Sequence, residues 1–543
     1  MNTMKTKSYL LIFCFSLLFF LVWQSENAVN ASNLDAIGVT VLRAVTTNLN
    51  GAGIYVAQPE ADDPNTPPGT NTWQVDSAAV GQSANLFTYI YSTSSGAYPN
   101  SLGFESHHAE NVANNFYGIP SGVATNIAHV DNYEADYFVN LITSSSPTNI
   151  NDAVVNQSFI FGNADASLQQ MVDAYYDNYA AQFGALFVSG AGNGVGSGNN
   201  GQVNPPATCY NGIGVGVSDN GTNTSIGPTI DNGRCKPDII APGGATSFST
   251  PYVAGAAAVL LQAGLRGDGG NDTNSAADIR TIKALLLNGA IKPADWTNAA
   301  PSPLDFRYGA GVLNVFNSYE QLAGGKHGYI FSEEIPNGEL HPPASDANSI
   351  GALSGWDFSV ITSSSDDYGV NHYYFDVTNG AGNSTFTATI TLVWNRPSSQ
   401  LPDLSTINNL DLFLYDCASS NLVAASTSVV DNVEHIFIPR LPQGRYDLQV
   451  LKNVANAVSD NETYALAWEL FSENLAAQKS GTNLILSWPV YPDGFVLESA
   501  TNLISPNWSA SNLPAPIVTN NQNVISLNVT NAAQFFRLRQ PVK

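Results

Sequence analysis

Lys236-Pro237-Asp238-Ile239-Ile240-Ala241-Pro242-Gly243-Gly244-Ala245-Thr246-Ser247-Phe248-Ser249-Thr250-Pro251-Tyr252-Val253-Ala254-Gly255 is the stretch on which the reading of this chain turns. A Gly/Ala/Thr turn delivers Ser247, and a run of small residues follows, with helix expected over about 254–265. A serine at that point lies at the positive end of a helix, where backbone N–H groups favour developing negative charge. An ordinary helix start, with Ser247 or Ser249 as its cap, would use the same residues. Working outward, short apolar runs at 54–57, 153–155, 185–188 and 213–217 read as buried strands. Between them, Leu168, Met171, Val172 and Tyr175 place a helix over 167–183, and another is expected over 276–288, behind the turn residues 272–275. Strands alternating with helices give an α/β module whose mostly parallel sheet is covered on both faces.

Beyond about Gly328 the helical signal stops. Tyr373-Tyr374-Phe375-Asp376-Val377, the run 386–394 and Tyr446-Asp447-Leu448-Gln449-Val450 alternate as half-buried strands, separated by Gly, Asn and Pro turns. This predicts an all-β sandwich. A polar break at 475–481 precedes a last block with strands expected at 484–488, 495–498, 524–527 and 535–538, the size of a small Ig-like or fibronectin-like unit. The expected division is 1–31, 32–325, 326–475 and 476–543, in keeping with a length of 543 residues at about 150 per domain.

Composition narrows the function. With 44% hydrophobic residues the chain can fill real cores, and Lys plus Arg total 19 against 44 Asp plus Glu, a net charge of −25. Phosphate binding needs clustered cations, so nucleic acid is excluded as a partner. Lys5 and Lys7 followed by an apolar run from Tyr9 to Trp23 and by Val29-Asn30-Ala31 read as a signal peptide over 1–31, its apolar run short for a bilayer crossing of about 20 residues, with an uncleaved membrane anchor as the alternative. The expectation is a secreted protein with no stable membrane insertion. Cys209 and Cys235 would close a loop worth roughly 3–4 kcal/mol if bridged, and two buried thiols fit equally well. The chain has no C-x-x-C pair and no H-E-x-x-H, so the usual signs of a zinc site are missing. Gly196-Ser197-Gly198-Asn199-Asn200-Gly201 satisfies a dinucleotide-loop pattern, but Pro205-Pro206 follow where that site needs a helix.

The run Ala245 to Gly255 resembles the serine signature of the subtilisin-like serine proteases, the subtilases, and maps the family's nucleophile onto Ser247. Ser106-His107-His108-Ala109-Glu110-Asn111-Val112-Ala113 resembles the family's His-Gly-Thr-His-Val-Ala segment, and matching Val112-Ala113 makes His108 the general base; a one-residue slip would choose His107. Phe187-Val188-Ser189-Gly190-Ala191-Gly192-Asn193 resembles the strand that ends in the oxyanion-binding asparagine, so that role falls on Asn193. The strand at 51–61 resembles the one carrying the triad acid, which puts Glu60 where the family has Asp, with Asp62 and Asp63 as nearby alternatives. Val155-Asn156-Gln157-Ser158-Phe159 resembles the strand that pairs with substrate, so Ser158 would line the cleft; Ile160 and Phe161 stand where the family has glycines. The resemblance covers about 36–320 and implies a doubly wound parallel sheet.

It implies a secreted serine endopeptidase in which Ser247, His108 and Glu60 form the triad and Asn193 donates to the oxyanion. Protein or peptide substrates, a monomer, no required cofactor and no metal site are the further expectations, with structural calcium left open. Substitutions at Glu60, Ala109, Asn111, Ala245 and Tyr252 support the alternative, a catalytically inactive subtilase fold serving as a secreted binding or surface protein. The stretch of about 22 residues between the expected cleavage and the first strand leads to the expectation of folding without a cleaved N-terminal prodomain, and residues 33–49 are expected to pack on the catalytic module as a helix.

Overall fold

The computed structural model describes residues 33–67, 69–92, 94–194, 201–218, 224–336, 348–378, 385–397, 407–455, 457–472, 475–490, 495–503, 506–510, 513–519, 522–528 and 534–539. The signal segment and most of the dinucleotide-loop pattern at 196–201 lie outside these residues. The first module holds β1 (Tyr55–Glu60), β2 (Thr72–Gln74), β3 (Phe87–Tyr91), β4 (Ser94–Gly96), β5 (Phe104–Glu105), β6 (His129–Glu134), β7 (Val154–Gln157), β8 (Leu186–Gly190), β9 (Ile213–Val217) and β10 (Ile239–Ala241). Eight of them form one sheet in the order β10-β9-β8-β7-β1-β6-β3-β4, while β2 and β5 pair separately. The large sheet is parallel except at its edge, where β4 runs against β3. Strands β7 to β10 are buried along their whole length, which is why none shows the alternation of a half-exposed strand, and the polar Asn156, Gln157 and Ser189 are buried within them.

The chain winds from β1 through β3 and β6 on one side, then crosses to β7, β8, β9 and β10 on the other. The carboxyl ends of β1 and β7 therefore flank the point where winding reverses, and doubly wound sheets open a crevice there. The α/β class expected from the sequence is the one observed.

The helix after β10 spans Thr246–Arg266, starting eight residues before the expected 254. Its Ser/Thr/Pro-rich opening has the propensity of a loop, and tertiary contacts described below hold it helical. It is buried over nearly its whole length and forms the core of the module. Gly255 lets it approach closely: a Cβ there would lie 2.6 Å from Val123 Cβ. The helix expected over 167–183 is Ala166–Phe183, capped by Asp165. The one expected over 276–288 is broken into Thr273–Ala276 and Ile279–Asn288, because Asp278 leaves the helical conformation to cap the second piece. The helix expected over 33–49 is likewise interrupted: residues 33–36 are helical, Gly38 turns the chain at φ 76°, and Val39–Val45 continues. Leu34, Ile37, Leu42 and Leu49 are buried against the module, and Val315 N donates to Ile37 O at 2.8 Å.

The following region is a sandwich of two antiparallel sheets. One orders Ser332–Pro336, Asp367–Val377, Gly444–Asn453, Asn409–Asp416 and Asn421–Ser426; the other orders Ser354–Thr362, Asn461–Ser472, Phe386–Trp394 and Val433–Leu441. Tyr373, Phe375, Leu412 and Leu448 of the first meet Ile390, Leu466 and Trp468 of the second in one core. The sandwich is docked on the α/β module, because Trp356, Val393, Val433 and Ala465 join the α/β module's own apolar cluster. Thr389 and Thr391 donate to Asn288 Oδ1 at 3.1 and 2.9 Å, and Asn211 exchanges two hydrogen bonds with the Arg396 backbone at 2.9 and 2.7 Å. A small last module, between Ala476 and Arg539, holds two further antiparallel sheets around Leu486, Trp488, Leu497 and Ile525. Cys209 and Cys235 are free buried thiols, so the bridge left open by the sequence is not formed.

Candidate active site

Glu60 ends β1 and His108 lies in the first turn of the helix His107–Phe116. Glu60 Oε2 lies 2.9 Å from His108 Nδ1; the carboxylate side chain is 1% exposed and the imidazole 14%. Burial works against charge on His108, and the Glu60 charge and hydrogen bond, with Asp63 behind them, hold the imidazole above its ordinary value of 6.5. Asp62 and Asp63 do not take the place of Glu60. Asp62 accepts from Gly69 N and Thr72 N within its own loop. Asp63 accepts the backbone N–H of His108 at 3.2 Å and the Ser106 hydroxyl, so it anchors the start of the helix that carries the imidazole. Burial opposes the Asp63 charge, yet these bonds and those from Asn65 hold its carboxyl below the usual range. His107, 84% exposed, pairs with Glu110.

Ser247 stands in the first turn of Thr246–Arg266. Pro251 lacks the N–H that would bond the Ser247 carbonyl inside the helix. Ser158 Oγ, just past β7, donates to that carbonyl at 2.8 Å, and Ser247 Oγ donates back to Ser158 O at 3.3 Å. Asn193, just past β8, holds the same turn: its Oδ1 accepts Thr246 N at 2.9 Å and Thr246 Oγ1 at 3.0 Å. These side-chain bonds satisfy the opening turn where local propensity would not.

His108, Ser158, Asn193 and Ser247 line one cleft of about 420 Å³ at the carboxyl ends of β1, β7 and β8. Ala61, Asp62, Phe159, Ile160 and Gly190 complete much of its wall, and the Phe248 ring lies 5.7 Å from the His108 ring. Four residues separated by up to 139 positions in sequence thus share one opening, with Glu60 directly behind the imidazole. Such an arrangement can supply a hydroxyl nucleophile, a base, a carboxylate to orient the base and an amide donor. Among the described residues, Asp76, Glu105 and Glu110 each bring a carboxylate oxygen within 4.8 Å of the others and could hold a cation, as exposed acids commonly could.

Sequence reasoning missed Gln58, whose amide touches Glu60, and the anchoring part played by Asp63. A signal for Gln58 exists: on a strand, positions 58 and 60 share a face, and a polar side chain in a buried strand needs a partner.

The model of the subtilase family matches residues 109–311, a span that includes Ser158, Asn193 and Ser247 and begins one residue after His108. A search of the curated proteins gives no match.

Proposed function

With a subtilase-family domain at 109–311 as premise, we propose that the chain is a secreted serine endopeptidase whose triad acid is a glutamate. The family supports serine-type peptidase chemistry on protein or peptide substrates; the residue roles rest on the geometry of the cleft. Ser247 Oγ attacks the scissile carbonyl while His108 takes its proton and later delivers it to the leaving amine. Glu60 holds the Nδ1–H tautomer, so Nε2 is the nitrogen that faces the nucleophile, and it stabilises the imidazolium once formed. Asn193 Nδ2 and the Ser247 N–H, in the first turn of its helix, receive the oxyanion. No cofactor enters this scheme, and the enzyme works as a monomer outside the cell, free of the membrane.

The single observation that carries the reading is the 2.9 Å contact between Glu60 and His108 behind a cleft that Ser247 also lines. It is tested by hydrolysis of an unfolded protein substrate by the wild-type chain and by Ser247→Ala. Loss of cleavage in the variant supports it, and equal cleavage contradicts it. One observation favours the second reading, an inactive fold used for binding: Ser247 Oγ is turned onto Ser158 O. That reading predicts no Ser247-dependent hydrolysis together with retention of a peptide in the cleft.

A further inference from the structure

The acid of the site is held from behind. Gln58 lies on the same face of β1 as Glu60 and is fully buried. Its Nε2 donates to Glu60 Oε1 at 2.9 Å and to Ala109 O at 3.0 Å, and its Oε1 accepts from the Tyr117 hydroxyl at 2.5 Å. The orientation of this amide is forced, because a carboxylate and a backbone carbonyl can only accept. Asn132 Nδ2 fixes the Gln58 backbone, donating to its carbonyl at 2.9 Å. Tyr117 in turn ends the helix whose first turn carries His108, with its own N–H on Ala113 O. One amide therefore ties the acid to the helix of the base at two points, Ala109 near its start and Tyr117 at its end.

We propose that Gln58, locked by Tyr117, is the positioning residue that sets the register between Glu60 and His108. A glutamate has one more rotatable bond than an aspartate and must be restrained to present one oxygen to an imidazole. Here Oε2 faces His108 and Oε1 is occupied by Gln58, so the carboxylate plane is fixed at both ends. Burial raises the Tyr117 hydroxyl well above its ordinary value, so it remains a donor throughout the working range. The groups facing His108 are Glu60, Asp63, through charge and the backbone N–H, and the Phe248 ring. Neither Gln58 nor Tyr117 lines the cleft.

This inference rests on the reading of Glu60 and His108 as acid and base, and its test separates the two. Gln58→Met and Tyr117→Phe are prepared in the full chain, each with and without Ser247→Ala. In the Ser247 chains, kcat should fall on the order of 10- to 100-fold with KM changed less than about twofold. In the Ser247→Ala chains, NMR titration of the imidazole carbons should show the His108 pKa falling toward its ordinary value, by about half a unit or more, as Glu60 is loosened. Tyr117→Phe removes one oxygen and keeps the ring, so it carries the test if Gln58→Met does not fold. If the parent chain hydrolyses through Ser247 and neither variant moves kcat or the titration, the Gln58 role is overturned. If the parent chain shows no Ser247-dependent hydrolysis while the titration shifts, the peptidase reading fails and the Gln58 lock stands.

Discussion

Glu60, proposed as the triad acid, is one methylene longer than an aspartate, and its surroundings absorb the extra reach. Oε1 is tied back to Gln58 while Oε2 meets His108, so the longer chain spans the gap without slack. Glu60→Gln should fold normally and lose turnover by about 10⁴, the scale of the same amide change at the acid of a Ser-His-Asp triad, because the amide no longer fixes the tautomer. Glu60→Asp should also lose activity, because the shortened carboxylate withdraws from Nδ1. Steady-state kinetics on both, with thermal melts to check folding, decides this; full activity in Glu60→Gln would remove Glu60 from the mechanism. The His108 shift gives a pH expectation of definite sign. The base must be neutral, and its folded pKa lies above 6.5, so kcat/KM should fall on the acid side through a pKa higher than 6.5. The stability from the Glu60–His108 pair runs the other way: it is fully present below 6.5 and is lost as pH rises through the folded value.

At the scale of elements, the strands were readable because parallel strands buried on both faces must be apolar, and 186–188 and 213–217 have almost no other reading. The opening of the serine helix was not. Thr246-Ser247-Phe248-Ser249-Thr250-Pro251 lacks helical periodicity and contains a proline. It is helical because Asn193 and Ser158, distant in sequence, satisfy its backbone. Ser247, His108 and Asn193, singled out through the resemblance, line one cleft with Glu60 behind His108, whereas Gln58 and Asp63 make contacts that no motif encodes. The approach of the serine helix to the segment after the histidine helix is set by Gly255, where a Cβ would meet Val123 Cβ at 2.6 Å and Phe116 O at 3.2 Å. Gly255→Ala should therefore lower stability by about 1–3 kcal/mol. It should also reduce turnover, because the helices carrying Ser247 and His108 are pushed apart. Denaturant unfolding and kcat measured together test this, and an unchanged variant would show that the close approach is not needed.

Across the whole molecule, the sandwich covers the α/β module on the side of helix Ile279–Asn288. The contacts that dock it join residues far apart in sequence and could not be read from the chain. Asn211 and Arg396 lie 185 positions apart, and Arg396 also reaches Asp177 at 3.4 Å. Asn211→Ala removes the side-chain hydrogen bonds to the Arg396 backbone and to the Asp177 carbonyl and leaves their partners buried, a loss of about 2–4 kcal/mol by the usual penalty for unmade bonds. Removing residues beyond about 325 should expose the apolar face now covered by Trp356 and Val393 and lower the melting temperature sharply, while removal of 476–543 should do much less. Equal melting of the chain ending near 325 and the full chain would mean that the two modules only sit side by side.

The central claim, that Ser247 is a nucleophile activated by His108 and Glu60, is tested most directly by mapping the adduct of a fluorophosphonate. The wild-type chain should carry the phosphonyl group on Ser247 alone, Glu60→Gln should react far more slowly at the same residue, and Ser247→Ala should not react. Labelling at another residue, or a rate at Ser247 indifferent to Glu60→Gln, would contradict it.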